Sequence, residues 1–235
     1  MLGLGNNITT SGGSFEVIPT DISNIAFWYK NGEGVTAAKW TDSSGQGNHM
    51  QQSTSGNQAS VSDGGLLFVD DNSDHYDLDS AVNIGGENAF TMAIVMKLNS
   101  YDTQNTILGD NNQTDRFLEF QQTSQMRYRQ VGSTSVIKFG GTEHFPINTK
   151  YSIIFTKATD RTLAVWKNGS ELTQSGTTNN PAISGDFSVD QIGGRSAAPD
   201  RDFDGYIYEL ILYTKKLSDA EIGDLHGYLS GIHGL

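Results

Sequence analysis

The sequence of 235 residues contains no cysteine, which excludes disulfides and thiolate chemistry. Basic residues are also few: 15 lysines and arginines against 27 acidic residues give a net charge of −12. Such a chain repels phosphate backbones and anionic headgroups, so neither nucleic acid nor a membrane surface is expected as a partner. No apolar run approaches the ~18 residues of a membrane span. The first residues have neither the basic nor the apolar segment of a secretion signal, and none is predicted.

Short apolar runs separated by turn residues dominate the sequence between Ile22 and Tyr213. Successive side chains of a strand point to opposite faces, so an apolar residue at every second position predicts a strand with one face on a core. This alternation recurs in the segments Phe90–Leu98, Met126–Arg129 and Tyr151–Thr156. Asn168-Gly169 supplies the positive φ angles of a tight hairpin. The pattern predicts an all-β domain of two packed antiparallel sheets.

Two further segments complete the predicted organisation. Residues 1–20 are rich in Gly, Asn, Ser and Thr, and they are interpreted either as a disordered terminus or as an arm that orders against a partner. Residues 21–235 are expected to form one domain. Its last element is predicted to be a helix, because Ser218 and Glu221 form a capping box ahead of apolar residues at helical spacing. Those apolar residues, expected on one face, are Ile222, Leu225, Leu229 and Ile232.

Several motifs resemble, in order, those of laminin G-like domains of the concanavalin A-like lectin/glucanase superfamily. They are Trp40–Asn48 (W-x-D-x-S-G-x-G-N), Phe90-Thr91, Leu163–Gly169, Ile192–Gly194 (I-G-G), Phe203–Glu209 (F-x-G-x-I-x-E) and Leu217–Ile222 (L-S-x-A-E-I). The resemblance covers about residues 25 to 230. It implies a two-sheet antiparallel jelly roll with a short C-terminal helix, and it implies no single function.

Catalytic motifs are missing. Glucanases of this superfamily carry E-x-D-x-E or a close variant on one strand, which brings carboxylates together on one sheet face. Neither Glu119 nor Glu209 begins such a run, and the five histidines are scattered. The sequence therefore predicts that the chain is not an enzyme, with a glycosidase or lyase as a distant alternative.

One acidic run could hold a metal. Asp200, Asp202 and Asp204 precede Gly205 in a D-x-D-x-D-G pattern, which matches the opening of a calcium loop. The position of the last ligand is occupied by Ile211, which cannot coordinate a cation. The run is therefore interpreted either as a calcium site or as a solvated acidic turn, and Ca²⁺ is the one cofactor considered.

Candidate ligand-binding residues are aromatic or cationic. Trp40, Trp166 and Tyr128 could stack on a sugar, although core packing is the competing interpretation. Arg127 and Arg129 lie on the face of their strand opposite Tyr128, so they are expected to be a contact patch or a solvated strand face.

The Gly-rich start, the missing secretion signal and the bare lectin-like domain also resemble virion proteins of tailed bacteriophages. This resemblance implies a structural protein, such as a capsid decoration or a tail-associated protein, located in the virion after assembly in the host cytoplasm. The arm would then bind other virion proteins, the chain would form a homo-oligomer, and host surface glycans are further candidate ligands. The alternative hypothesis is a carbohydrate-binding module or adhesin.

Overall fold

The structure is a computed structural model that describes residues 17–101, 104–131, 135–139, 143–178, 185–195 and 201–235. The strands in chain order are β1 (Ile25–Tyr29), β2 (Lys39–Trp40), β3 (Met50–Gln51), β4 (Ser60–Ser62), β5 (Gly65–Phe68), β6 (Tyr76–Asn83), β7 (Phe90–Leu98), β8 (Asn105–Asp110), β9 (Gln113–Gln122), β10 (Gln125–Arg129), β11 (Ser135–Phe139), β12 (Tyr151–Lys157), β13 (Leu163–Lys167), β14 (Ser170–Glu171), β15 (Gln174–Thr178), β16 (Ser188–Ile192) and β17 (Gly205–Tyr213). One helix, α1 (Asp219–His233), follows them, and single 3₁₀ turns lie at Pro19–Asp21, Ser55–Asn57 and Asp70–Asn72.

The described strands form two antiparallel sheets that pack face to face. The eight-stranded sheet has the order β14-β13-β12-β7-β17-β5-β4, with β1 also paired to β17. The nine-stranded sheet has the order β15-β11-β10-β9-β8-β16-β6-β3-β2. Neighbours in space are often distant in sequence, as expected for a jelly roll rather than a chain of hairpins. The predicted fold, a β sandwich with one short C-terminal helix, is confirmed.

The core between the sheets follows the predicted alternation. Phe90, Met92, Ile94, Met96 and Leu98 all point inward from β7 and are fully buried. On the facing sheet Met126 and Tyr128 do the same from β10, while Arg127 and Arg129 point outward. The hairpin between β13 and β14 turns at Asn168 and Gly169, whose φ angles are 46° and 78°, as the sequence predicted.

Strict alternation between the two faces does not hold along β17. Strict alternation would place Tyr206 and Tyr208 on the same side as Leu210 and Leu212. A β-bulge between Ile207 and Glu209 shifts the register instead. Ile207, Leu210 and Leu212 therefore point into the core, while Tyr206 and Tyr208 stack on each other on the outer side of the sheet. A bulge adds one residue to a strand, and a period of two cannot reveal it.

Helix α1 covers the outer face of the eight-stranded sheet. Its buried residues Ile222, Leu225 and Leu229 pack in a second apolar cluster with Trp28 and Trp166. Ile232, expected on the same face, is 43% exposed. His233 takes the buried position near the end of the helix, so the predicted apolar stripe is correct for its first three members only.

A buried carboxylate joins the helix to this sheet. Glu209 is fully buried, and its Oε1 atom accepts hydrogen bonds from Trp28 Nε1 at 2.7 Å and Tyr228 Oη at 2.9 Å. His233 Nε2 lies 2.7 Å from the other oxygen. A buried carboxylate is tolerated only when its oxygens are hydrogen-bonded, so Glu209 depends on α1 being in place.

The chain enters the domain along the same side. Tyr213 donates a hydrogen bond to the carbonyl oxygen of Pro19 at 3.0 Å, and Val17 packs against the apolar cluster under the helix. Residues 17–20 of the expected arm thus lie against the sandwich. Residues 1–16 lie outside the described residues, so the tether stays a prediction.

The capping box of α1 provides a test of the helix that closes this face. Ser218 Oγ accepts a hydrogen bond from the backbone of Glu221, and the Glu221 side chain accepts one from the backbone of Ser218. We expect Ser218→Ala to lower the free energy of unfolding by about 1 kcal/mol in chemical denaturation. Ser230→Ala, within the same helix, is the control and should cost less; equal losses would contradict a capping role.

Candidate functional site

The outer face of the nine-stranded sheet carries charged side chains instead of an apolar cluster. In the strand register Glu119 on β9 lies between Arg127 on β10 and Thr106 on β8, so the three side chains share that face. Glu119 is fully buried. Its Oε1 lies 2.9 Å from Nη1 of Arg127, and its Oε2 accepts a hydrogen bond from Nη2 of Arg195 at 3.3 Å.

The ring of Phe117 forms the floor beside this glutamate. Phe117 precedes Glu119 by two positions on β9, so it projects from the same face, and it pairs with Arg129 across the strands. The guanidinium carbon of Arg195 lies 4.1 Å from the ring centroid, and that of Arg127 lies 5.2 Å away. Both distances are within the range of cation–π attraction, so the aromatic ring fixes the two arginines that also hold Glu119.

Gly109 gives Arg195 access to this position. A Cβ atom at residue 109 would lie 2.3 Å from the carbonyl oxygen of Gly194 and 3.1 Å from Cβ of Arg195. The segment after β16 can therefore cross β8 closely only because residue 109 has no side chain. This crossing carries Arg195 from the end of β16 to the ring of Phe117 on β9.

Arg127, Arg195 and Arg201 attract this one buried carboxylate, and Arg129 acts electrostatically on Arg195; we call the four residues Arg127, Arg129, Arg195 and Arg201 the arginine cluster. Burial lowers the pKa of Arg195 to about 10; Glu119 opposes that shift and the other three arginines add to it. Burial raises the pKa of Glu119, against the attraction of Arg127, Arg195 and Arg201. Arginine stays protonated at neutral pH, so the cluster holds an excess of positive charge.

Among the described residues at the rim of the cluster, carboxylates compensate little of its positive charge. Asp115 lies 3.8 Å from Arg129 but only 2.6 Å from Arg116, which also pairs with Asp186 at 2.9 Å. The carboxylate of Asp115, which lies beside Arg129, is therefore engaged mainly with Arg116.

An open groove lies on the same face at the other end of the sheet. It has a volume of about 590 Å³ and is bounded by strands β2, β3 and β6. Its lining residues are Ala38, Lys39, Gln51, Gln52, Ser53, Asp77, Leu78 and Asp79. Amides, carboxylates and an ammonium group together offer both donors and acceptors, the pattern that polyhydroxylated ligands require.

Of the residues predicted to bind a ligand, the structure brings Arg127 and Arg129 together on this face. Their side chains are 16% and 31% exposed, so both can reach a ligand. Trp40 and Tyr128 lie instead in the core between the sheets with no exposed surface. Trp166 is 9% exposed and belongs to the apolar cluster under α1. These three rings pack against the protein, so the structure removes them from the candidate surface.

Hydrogen bonds within the protein hold the loop that begins with Trp40. The carboxylate of Asp42 accepts hydrogen bonds from the backbone nitrogens of Trp28, Ser44 and Asn48 at 2.8 to 3.0 Å. Trp40 Nε1 donates to the carbonyl oxygen of Lys30 at 3.0 Å. The motif Trp40–Asn48 is therefore explained by the hydrogen bonds with which its Trp and Asp residues fix the loop.

The candidate calcium run is only partly described. Asp200 lies outside the described residues. Asp202 is buried, while Asp204 accepts a hydrogen bond from Asn99 Nδ2 at 3.1 Å. Within the part of the chain that the structure describes, no cluster of three or more histidine, aspartate or glutamate residues could hold a metal.

Sequence reasoning missed Phe117, Glu119 and Arg195 as members of the site. A signal for the first two was available, because they lie two positions apart, shortly before the predicted strand that contains Arg127 and Arg129. Nothing local marks Arg195, which is 76 positions away from Glu119 in sequence.

Among the described residues no helix is both long and apolar enough to pass through a bilayer.

Residues 70–223, more than half of the chain, match the family model of the concanavalin A-like lectin/glucanase superfamily. The chain belongs to this superfamily. The sequence matches no curated protein.

Solved structures with the same architecture support this assignment at the level of the fold. A sialidase from Trypanosoma rangeli aligns with a TM-score of 0.62 and 18% identity over 90% of this lectin-like chain. A mutant of that sialidase with trans-sialidase activity aligns at 0.60 and 20% over 92%. The binding domain of Paraclostridial Mosquitocidal Protein 1 aligns at 0.60 and 16% over 88%.

The lectin-like chain spans only 33% and 34% of the two sialidase chains and 52% of the mosquitocidal one. The prediction that the chain is not an enzyme is contradicted by these neighbours, because this arrangement of sheets occurs in sialidases. The missing E-x-D-x-E run excludes one type of glucanase centre and does not exclude enzymes as a class. The expected origin in a bacteriophage receives no support from these comparisons.

The compensation between the charge of Glu119 and the arginine cluster can be tested by substitution. We expect Glu119→Gln to lower the free energy of unfolding by about 3 kcal/mol, because it leaves buried arginines uncompensated. Adding Arg195→Met should recover part of that loss. The free energies of unfolding of Glu119→Gln, Arg195→Met and the double variant are measured by urea denaturation.

Glu87→Gln, at an exposed glutamate, is the matched control and should change stability by less than about 0.5 kcal/mol. A loss at Glu119 no larger than this, or a double variant that simply adds the two single losses, would contradict the proposed compensation.

Proposed function

We propose that the chain is a carbohydrate-binding domain whose ligand lies on the outer face of the nine-stranded sheet. The observation that carries this proposal is the arginine cluster, a set of charged side chains held in place on a sheet face. Phe117, Glu119 and Gly109 each constrain this cluster. Preorganised polar groups of this kind lower the entropic cost of binding a ligand.

The contrast between the two outer faces supports the choice of surface. Helix α1 and its apolar cluster occupy the outer face of the eight-stranded sheet. The opposite face presents arginines in the middle and, beside β6, an open groove with Gln51, Asp77 and Asp79. Carbohydrate ligands need many directional hydrogen bonds, which amide, carboxylate and guanidinium groups supply.

Membership of the superfamily and the likeness to sialidases agree with this proposal. Those enzymes act on a sugar, and a binding domain is among the other similar structures. The likeness concerns the fold, so the surface is argued from this chain's own residues.

A role as a bacteriophage virion component remains a prediction from the sequence, because its tether lies mostly within residues 1–16. Glycan binding through the sheet face is independent of that role.

Glycan binding is tested by probing an oligosaccharide array with the purified full chain. The chain has no cysteine, so a single introduced cysteine can carry a bulky maleimide label at a chosen point. Asp77→Cys places the label beside the groove on the proposed face, and Asp224→Cys places it on the exposed side of α1. We expect labelling at residue 77 to abolish saturable binding and labelling at residue 224 to leave it unchanged.

Both variants replace one exposed aspartate, so they are matched in charge and chemistry. Binding that survives the label at residue 77 but is lost with the label at residue 224 would place the ligand on the helix side. Absence of binding to every glycan on the array would refute the proposed function.

A further inference from the structure

Counted over the residues that the structure describes, the arginine cluster holds more positive charge than Glu119 balances. Arg127 and Arg195 are enough to compensate the charge of Glu119, because each guanidinium group approaches one of its two oxygens. Arg129 is 3.8 Å from Asp115, too far for a hydrogen bond, and Arg201 contacts the neutral side chain of Gln104. Confining like charges in a partly buried space costs free energy, so the surplus needs an anion for full compensation.

The surplus is also visible in the hydrogen-bond donors. The Nε atoms of Arg129 and Arg195 are buried and have no acceptor among the described residues. Each guanidinium has five N–H groups in a planar fork that matches the two oxygens of a carboxylate. Arg127 and Arg129 both have exposed surface, and they project side by side from alternate positions of β10, about 7 Å apart.

The surroundings limit what kind of anion can approach. The chain carries a net charge of −12, and exposed Asp77, Asp79 and Asp186 lie on or beside the same face. A polyanion would meet this negative potential along its length, whereas a single carboxylate on an otherwise neutral saccharide would meet only the arginine cluster. The hydroxyl groups of such a saccharide could extend toward the groove beside β6.

We propose that the arginine cluster recognises the carboxylate of an acidic sugar, with Arg127 and Arg129 contacting it and with Glu119, Phe117 and Arg195 positioning those two side chains. This inference rests on the proposed carbohydrate-binding function and specifies its ligand class.

The test uses pairs of probes that differ in charge. The full chain is titrated by calorimetry with 3′-sialyllactose and its methyl ester, and with tri-galacturonate and its fully methyl-esterified form. At least one acid should bind about tenfold or more tightly than its neutral counterpart, the effect of one or two charge-assisted hydrogen bonds. That preference should shrink as salt is raised. Lactose 3′-sulfate is included, and it should bind more weakly than the preferred carboxylate.

The residue test compares two substitutions with equal effects on net charge. Arg129→Gln should reduce binding of the preferred acid about tenfold and remove its advantage over the neutral counterpart. Lys216→Gln, at an exposed lysine after β17, should change neither. Thermal unfolding of both variants checks that they are folded. Arg129 is chosen because its side chain is the most exposed among the ion-paired arginines of the cluster, so its replacement disturbs Glu119 least.

The outcomes separate this inference from the proposed function. Equal binding of acids and neutral counterparts, preference for the sulfate, or an Arg129→Gln variant that keeps the full preference would each overturn the inference. Binding of neutral glycans alone would overturn it and leave the proposed function standing. Absence of binding to all of these probes and to the array would refute both.

Discussion

Two buried glutamates, one on the outer side of each sheet, impose the constraint on which this structure depends. A carboxylate removed from water must be matched by donors or by opposite charge, or it destabilises the fold by several kcal/mol. Glu209 is matched by neutral donors and a histidine, most of them supplied by α1. Glu119 is matched by arginines that belong to β10 and to the segment after β16.

The two solutions give the two faces different roles. Tyr228 and His233 reach Glu209 only while α1 lies on the eight-stranded sheet, so that face is closed by an apolar cluster. The arginines bring more N–H donors and more positive charge than one carboxylate can pair with. Among the described residues, the Nε atoms of Arg129 and Arg195 therefore have no acceptor. The same need to compensate a buried carboxylate thus closes one side of the sandwich with a helix and places arginines on the other, the side on which we propose that a ligand binds.

Local signals in the sequence predicted much of this architecture. The alternation in Phe90–Leu98, the turn at Asn168 and the capping box at Ser218 depend on neighbouring residues only, and each is confirmed. The prediction failed where one inserted residue or a distant partner decided the outcome. The bulge after Ile207 places Tyr206 and Tyr208 on the face opposite Leu210 and Leu212. Trp40 is buried in the core between the sheets.

Only part of the candidate site could be predicted from the sequence, and its role in binding stays a prediction. Arg127 and Arg129 were recognisable because they alternate with buried Met126 and Tyr128 on one strand. Glu119 looked like an isolated glutamate without a catalytic pattern, and Arg195 carried no signal at all. Their meeting depends on the pairing of β8, β9 and β16 and on the small volume of Gly109. Such long-range pairings leave no periodic trace in a single sequence.

The most direct measurement of the central claim is a nuclear magnetic resonance titration of the ¹⁵N-labelled chain with a glycan that it binds. We expect amide shifts to concentrate in β8, β9, β10 and β16, with changes in the Nε–H signals of Arg127 and Arg129. Shifts concentrated in α1 and the outer side of the eight-stranded sheet, with the arginine signals unmoved, would contradict the central claim.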